Sequence, residues 1–133
     1  MMIKLLCATL VLLLSGSVFY GQESDRIPPG ISLAFRAGNA ADLAKYLNST
    51  VEIVLIDKED FYKKSVAEKL LKDFFESYPA REFTIRHHGS RNEAHYAIGN
   101  LKTEKIDFRV YFLMRRTEAG TLIHQIRIEP DYE

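Results

Sequence analysis

Apolar and polar residues along this chain follow three different rhythms, and each predicts a different kind of structure. The first is a continuous apolar run, Leu5-Leu6-Cys7-Ala8-Thr9-Leu10-Val11-Leu12-Leu13-Leu14, preceded by Lys4 and followed by the small residues Ser15, Gly16 and Ser17. A run of about ten residues suits a secretory signal and falls short of the roughly 20 that cross a bilayer. Residues 1–21 are therefore expected to be a signal peptide, cut either after Ser17 or, by preference, just before Gln22. Residues 22–30 form a polar lead-in ending in Pro28-Pro29, and 31–133 are expected to be one domain. A lipid-anchored cysteine would follow the apolar run, whereas Cys7 lies inside it. The product is thus expected to be soluble and exported, periplasmic or extracellular, with no membrane span after cleavage.

The second rhythm repeats every three to four residues. Ile31, Leu33, Ala34 and Phe35 predict a short helix entered at Pro29 and closed by Gly38. Asn39 is placed to cap a second one bearing Leu43, Ala44 and Leu47, with Asp42 three residues on. A longer helix is predicted over Ser65–Tyr78, where Val66, Leu70, Leu71, Phe74, Phe75 and Tyr78 share one face. Ser65-Val66-Ala67-Glu68 opens it as a capping box and Pro79 ends it.

The third rhythm is alternation, which predicts strands. Thr50–Ile56 is rich in β-branched residues and ends at the charged run Asp57–Asp60, expected to be a solvated loop. Four more strands are predicted at Glu82–His88, His95–Leu101, Ile106–Arg115 and Leu122–Glu129. Short turns separate them, the best defined being Thr117-Glu118-Ala119-Gly120. Helices first and closely spaced strands afterwards predict an α+β fold: a strongly bent mixed or antiparallel sheet wrapped as a cone around the long helix.

Placing a three-residue bulge loop at the last turn sets a register in which Met114 opposes His124, Phe112 opposes Ile126 and Val110 opposes Ile128. One face then carries Phe108, Val110, Phe112, Met114, Leu122, His124, Ile126 and Ile128, and is expected to meet the helices. The other carries Arg109, Tyr111, Leu113, Arg115, Ile123, Gln125, Arg127 and Glu129. That mixture of charge and aromatic surface suits a half-exposed sheet or an oligomer interface.

Charge and composition narrow the function classes. The chain has 18 Lys+Arg against 18 Asp+Glu and a single cysteine. Removing residues 1–21 takes away Lys4 and Cys7, leaving a formal charge of −1 and no thiol for a disulfide, nucleophile or metal. A nearly neutral surface offers no electrostatic basis for binding nucleic acid. The histidines, His87, His88, His95 and His124, are scattered, and adjacent His87 and His88 point to opposite faces of a strand. No metal site and no cofactor are expected. For acid–base chemistry His124, on the apolar face, is the sole weak catalytic candidate, and no inner carboxylate accompanies it.

Several strings together resemble a known family. They are Phe35-Arg36-Ala37-Gly38-Asn39-Ala40 with Leu43-Ala44-Lys45-Tyr46-Leu47, Leu71-Lys72-Asp73-Phe74-Phe75, Tyr96-Ala97-Ile98-Gly99-Asn100-Leu101, Phe108-Arg109-Val110-Tyr111 and Ile123-His124-Gln125-Ile126-Arg127-Ile128-Glu129. Over essentially the whole mature chain the sequence resembles an exported domain family of unknown function, found mainly in Bacteroidetes-type bacteria. That family lies within the nuclear transport factor two-like (cystatin-like) superfamily. The resemblance implies the cone fold and carries over no catalytic residue. Enzymes on this scaffold use carboxylates or histidine–aspartate pairs inside the cone, which this chain lacks.

Three functional expectations follow. The first is a non-enzymatic domain binding a small apolar ligand or a protein partner, with Phe74, Phe75, Phe108, Phe112, Met114 and His124 lining the pocket. The second is an isomerase- or dehydratase-like enzyme centred on His124. The third is a homodimer joined through Arg109, Tyr111, Leu113, Ile123 and Arg127.

Overall fold

Pro29 starts the first helix at the position where its missing N–H costs nothing, after extended Pro28. The structure, a computed structural model, describes residues 27–132. The signal peptide expected over 1–21 and residues 22–26 of the lead-in lie outside the described residues. Helix α1 (Pro29–Ala37) closes on Gly38, whose φ of 63° is left-handed. Asn39 caps α2 (Ala40–Ala44), its side chain accepting the Asp42 N–H at 2.9 Å. Both helices form at the expected caps, but the second ends at Ala44, so Leu47, expected on its apolar face, instead begins the first strand.

Strand β1 (Leu47–Leu55) turns directly into β2 (Lys58–Lys63). The charged run is therefore half of a hairpin and not a solvated loop. Its turn carries none of the usual glycine or asparagine chemistry: Ile56 sits at φ 58°, rare for a β-branched residue. The Ile56 N–H donates to the Ile128 carbonyl at 2.9 Å, so tertiary structure holds the turn.

Helix α3 (Lys64–Ser77) follows β2 without a loop. Lys63 is the extended cap residue and no side chain caps the helix, so Ser65 falls inside the first turn and the expected capping box does not form. The buried stripe is Ala67, Leu71, Phe74 and Phe75, whereas Val66 is exposed.

Strands β3 (Ala80–Arg91), β4 (Ala94–Thr103), β5 (Asp107–Thr117) and β6 (Gly120–Pro130) complete a six-stranded sheet in the order β2-β1-β6-β5-β4-β3. All neighbours are antiparallel except β1 and β6, which run parallel. The β3–β4 turn, Asn92-Glu93, places both residues at positive φ, 50° and 69°. That is the twist a two-residue hairpin requires. Helices and the inner face of the sheet enclose one core, in which Phe35, Leu71, Phe108 and Phe112 are fully buried.

The last hairpin corrects the expected register. Thr117 pairs with Gly120, Arg115 with Leu122 and Met114 with Ile123. The next pair is Leu113 with Gln125, so the extra residue is His124, a bulge within β6 and not part of the turn. Beyond the bulge the expected pairs Phe112–Ile126, Tyr111–Arg127, Val110–Ile128 and Arg109–Glu129 all form. Between turn and bulge every side chain changes face. Ile123 is therefore a core residue at 0% exposure, not part of an outer interface, and Leu122 is its half-exposed neighbour.

Candidate functional site

The expected pocket residues fill the interior. Phe74 and Phe108 rings meet edge-on with centroids 5.0 Å apart, Phe74 and Phe75 lie 5.5 Å apart, and Phe35 stacks on Phe112 at 5.9 Å and on Phe83 at 4.7 Å. Met114 is fully buried beside them. Space that the sequence leaves open for a ligand is occupied by the chain's own rings.

His124 is the bulge residue of β6. Its Nε2 is buried and has no hydrogen-bond partner. Burial lowers its pKa below the ordinary 6.5, and the nearby Arg115 guanidinium lowers it further. A neutral imidazole with no carboxylate bonded to it lacks the orienting partner an acid–base pair needs. The pH dependence of stability follows. The unfolded chain takes up this proton as pH falls below about 6.5 while the folded chain resists, so stability is full above that pH and declines below it. His124→Phe is expected to reduce the loss of stability between neutral pH and about pH 5, measured by urea midpoints across that range. An unchanged slope would contradict a depressed His124.

A groove of about 530 Å³ opens on the face of the sheet turned away from the helices. Its walls come from β3, β4 and β5, and strand register explains each one. Arg91, Ala94 and Arg115 lie in one row across three strands, so two guanidinium groups flank a small residue. In the next row Gly89, Tyr96 and Leu113 are neighbours. A Cβ on Gly89 would come within 2.7 Å of the Tyr96 hydroxyl, so the absence of a side chain there lets the tyrosine ring lie across β3. The hydroxyl then sits 3.2 Å from His87 Nε2. Tyr96 in turn stacks with Tyr111, centroids 6.3 Å apart.

The groove is aromatic at its base and cationic at its mouth. Neither Arg91 nor Arg115 forms an ion pair with a described carboxylate, whereas Arg127 is held 3.3 Å from Glu129. Unpaired guanidinium groups beside aromatic faces suit a carboxylate carried on an apolar or aromatic body.

Of the residues expected on the outer face, Tyr111 and Leu113 line the groove, Arg109 and Arg127 lie beside it, and Ile123 does not take part. Sequence reasoning did not single out Arg91, Asn92 and Ala94. Their signal was the Arg-Asn-Glu-Ala turn, which brings the ends of two strands together. Among the described residues no group of His, Cys, Asp and Glu is arranged to hold a metal ion, and no helix is long and apolar enough to cross a membrane.

The family model for a domain of unknown function, DUF4783, matches residues 29–129. The chain belongs to the DUF4783 family. A DUF4783 protein from Bacteroides ovatus shares 32% identity and a TM-score of 0.78, covering 82% of this chain and 99% of the other. One from Bacteroides uniformis shares 34% identity and a TM-score of 0.76, covering 80% and 99%. Outside the DUF4783 family, an NTF2-like protein of unknown function from Shewanella baltica shares 12% identity at a TM-score of 0.60, covering 78% and 87%. It supports the fold alone: an α+β, NTF2-like, cystatin-like architecture. No curated protein matches the chain.

Proposed function

We propose that this DUF4783 domain is an exported, non-enzymatic interaction domain that works through the outer face of its sheet. One contrast carries the reading: the interior is closed by interlocking phenylalanines, while the outer face presents an aromatic groove with two unpaired arginines. A binding surface needs concavity, apolar area and a few polar groups to orient a partner, and the groove has all three. Export is supported by the apolar run Leu5–Leu14 behind Lys4. The unaccompanied His124 argues against catalysis.

Hydroxyl-radical footprinting tests the reading. The protein is labelled in a concentrated extract of the cell envelope and again as a dilute purified sample. Tyr96, Tyr111 and Leu113 are expected to be protected several-fold in the extract and reactive when diluted. Equal labelling of these residues in both states would overturn the outer face as the working surface.

A further inference from the structure

Resting on that reading, we infer that the groove is a site for a small aromatic carboxylic acid, its carboxylate clamped between Arg91 and Arg115 and its ring against Tyr96 and Tyr111. The cationic half of the site follows from register. Arg91 pairs with Ala94 and Ala94 with Arg115, so the two arginines stand two strand spacings apart, about 10 Å. Only a methyl group lies between them, and it is buried at 6% exposure. Both guanidinium groups are exposed, and neither forms an ion pair with a described carboxylate. Side chains of this length can bend over Ala94 and meet one anion from both sides, with charge-assisted hydrogen bonds of about 2.7–2.9 Å. Charges over the whole chain balance, 18 of each sign, so the attraction for an anion is local to this row.

The aromatic half lies one row along. Tyr96 and Tyr111 are half-buried, their rings 26° from parallel, and Leu113 continues the apolar wall. These rings already touch each other, so a ligand ring packs against the wall they form and does not slide between them. The Tyr96 hydroxyl sits 3.2 Å from His87 Nε2, which holds the ring in place before any ligand arrives. Such preorganisation lowers the ordering cost of binding.

Dimensions narrow the ligand further. Ala94 and Tyr96 are two residues apart on one strand, which sets the anion and ring positions about 7 Å apart. An acid whose carboxylate stands off its ring by a short linker suits that spacing better than one bonded to the ring directly. The volume, about 530 Å³, is that of a small-molecule site. An extended peptide fits less well. The floor strands β4 and β5 are interior to the sheet, with neighbours paired on both sides, and offer no free main-chain ladder for strand addition. Recognition must come from side chains, and those present are two cations, two phenol rings and a leucine.

Heteronuclear NMR of the purified protein, titrated with cinnamate, tests the site. Saturable shifts are expected at the amides of Ala94, Tyr96, Tyr111 and Leu113, with a Kd below about 1 mM. Cinnamamide keeps the ring and loses the charge, butyrate keeps the charge and loses the ring, and each should bind at least about 10-fold more weakly. Arg91→Gln and Arg115→Gln should each weaken cinnamate by about 10-fold, the scale of a hydrogen bond to a charged group. Arg116→Gln, next in sequence but on the opposite face, should leave binding unchanged. Thermal midpoints identify any variant that fails to fold, and the comparison of cinnamate with cinnamamide on the unaltered protein keeps the test open in that event. No saturable shift by about 10 mM cinnamate overturns the inference, as does equal binding of cinnamamide. Filtering the envelope extract to remove macromolecules separates this inference from the reading beneath it. The filtrate is expected to protect Tyr96 and Tyr111 from hydroxyl radicals. Protection by the retained macromolecules alone would reject the small acid and keep the outer face, whereas protection by neither fraction would overturn the outer face itself.

Discussion

Phe108→Ala is expected to lower the unfolding free energy by about 3–5 kcal/mol, the range for removing a fully buried aromatic side chain. Phe108 is inaccessible to solvent and touches two further rings, Phe74 at 5.0 Å and Tyr78 at 4.9 Å, both edge-on. Those rings are anchored on α3 and its C-terminal cap, so the strand and helix cannot easily close over the gap. The cavity should stay dry and take up a benzene-sized apolar molecule, as apolar cavities of this kind do. Urea unfolding measures the first effect and thermal stabilisation by benzene the second. Arg109→Ala, next in sequence but on the opposite face, is the control and should stay within about 0.5 kcal/mol. A cost below about 1.5 kcal/mol for Phe108→Ala would mean that the interior is loosely filled. The case against an internal ligand site would then fail.

The filled interior also decides where function can reside. On this scaffold a pocket between helix and sheet needs small residues at some inner positions. Here Phe35, Phe74, Phe75, Phe83, Phe108 and Phe112 all point inward. Filling the interior contributes stability and removes volume, which is why the proposed binding role is assigned to the outer face. That face can evolve without disturbing the core because its side chains alternate with the buried ones along each strand.

The degree to which the sequence foretold this arrangement varies from element to element for physical reasons. Gly38 and Asn39 fix the α1–α2 corner by local chemistry, one through its left-handed conformation and the other through its side-chain cap, so the corner can be read from neighbouring residues alone. Phe108, Val110, Phe112 and Met114 repeat with period two and are inward in the structure as expected. Strand β2 was illegible because Lys-Glu-Asp-Phe-Tyr-Lys is an exposed edge with no buried residue, and its turn depends on Ile128, far away in sequence. The groove was legible only in part. Tyr111 and Leu113 lie on a strand whose face could be assigned, whereas Arg91 and Ala94 join them through the two-residue turn Asn92-Glu93, in which both residues take positive φ without a glycine to mark the place.

The β6 bulge gives the second large effect, since two adjacent aliphatic residues should respond very differently to the same substitution. Ile123→Ala is expected to cost about 2–5 kcal/mol, and Leu122→Ala less than about 1 kcal/mol. Ile123 pairs with Met114 on one side and Leu47 on the other, its N–H donating to the Tyr46 carbonyl at 2.7 Å, and its side chain is wholly buried. Leu122 pairs with Arg115 at the sheet surface. A register with its extra residue in the turn would reverse the order, burying Leu122 and exposing Ile123. Urea unfolding of the two variants separates these cases. The bulge is also what frees His124 from strand pairing and sets it close enough to feel Arg115, one of the two cations at the mouth of the groove. Deleting His124 should make β6 regular, because Ile123 would then directly precede Gln125 and the pairs Met114–Ile123 and Leu113–Gln125 would become consecutive rungs. Ile123 stays in the core, so a stability loss smaller than that of Ile123→Ala is the expected outcome.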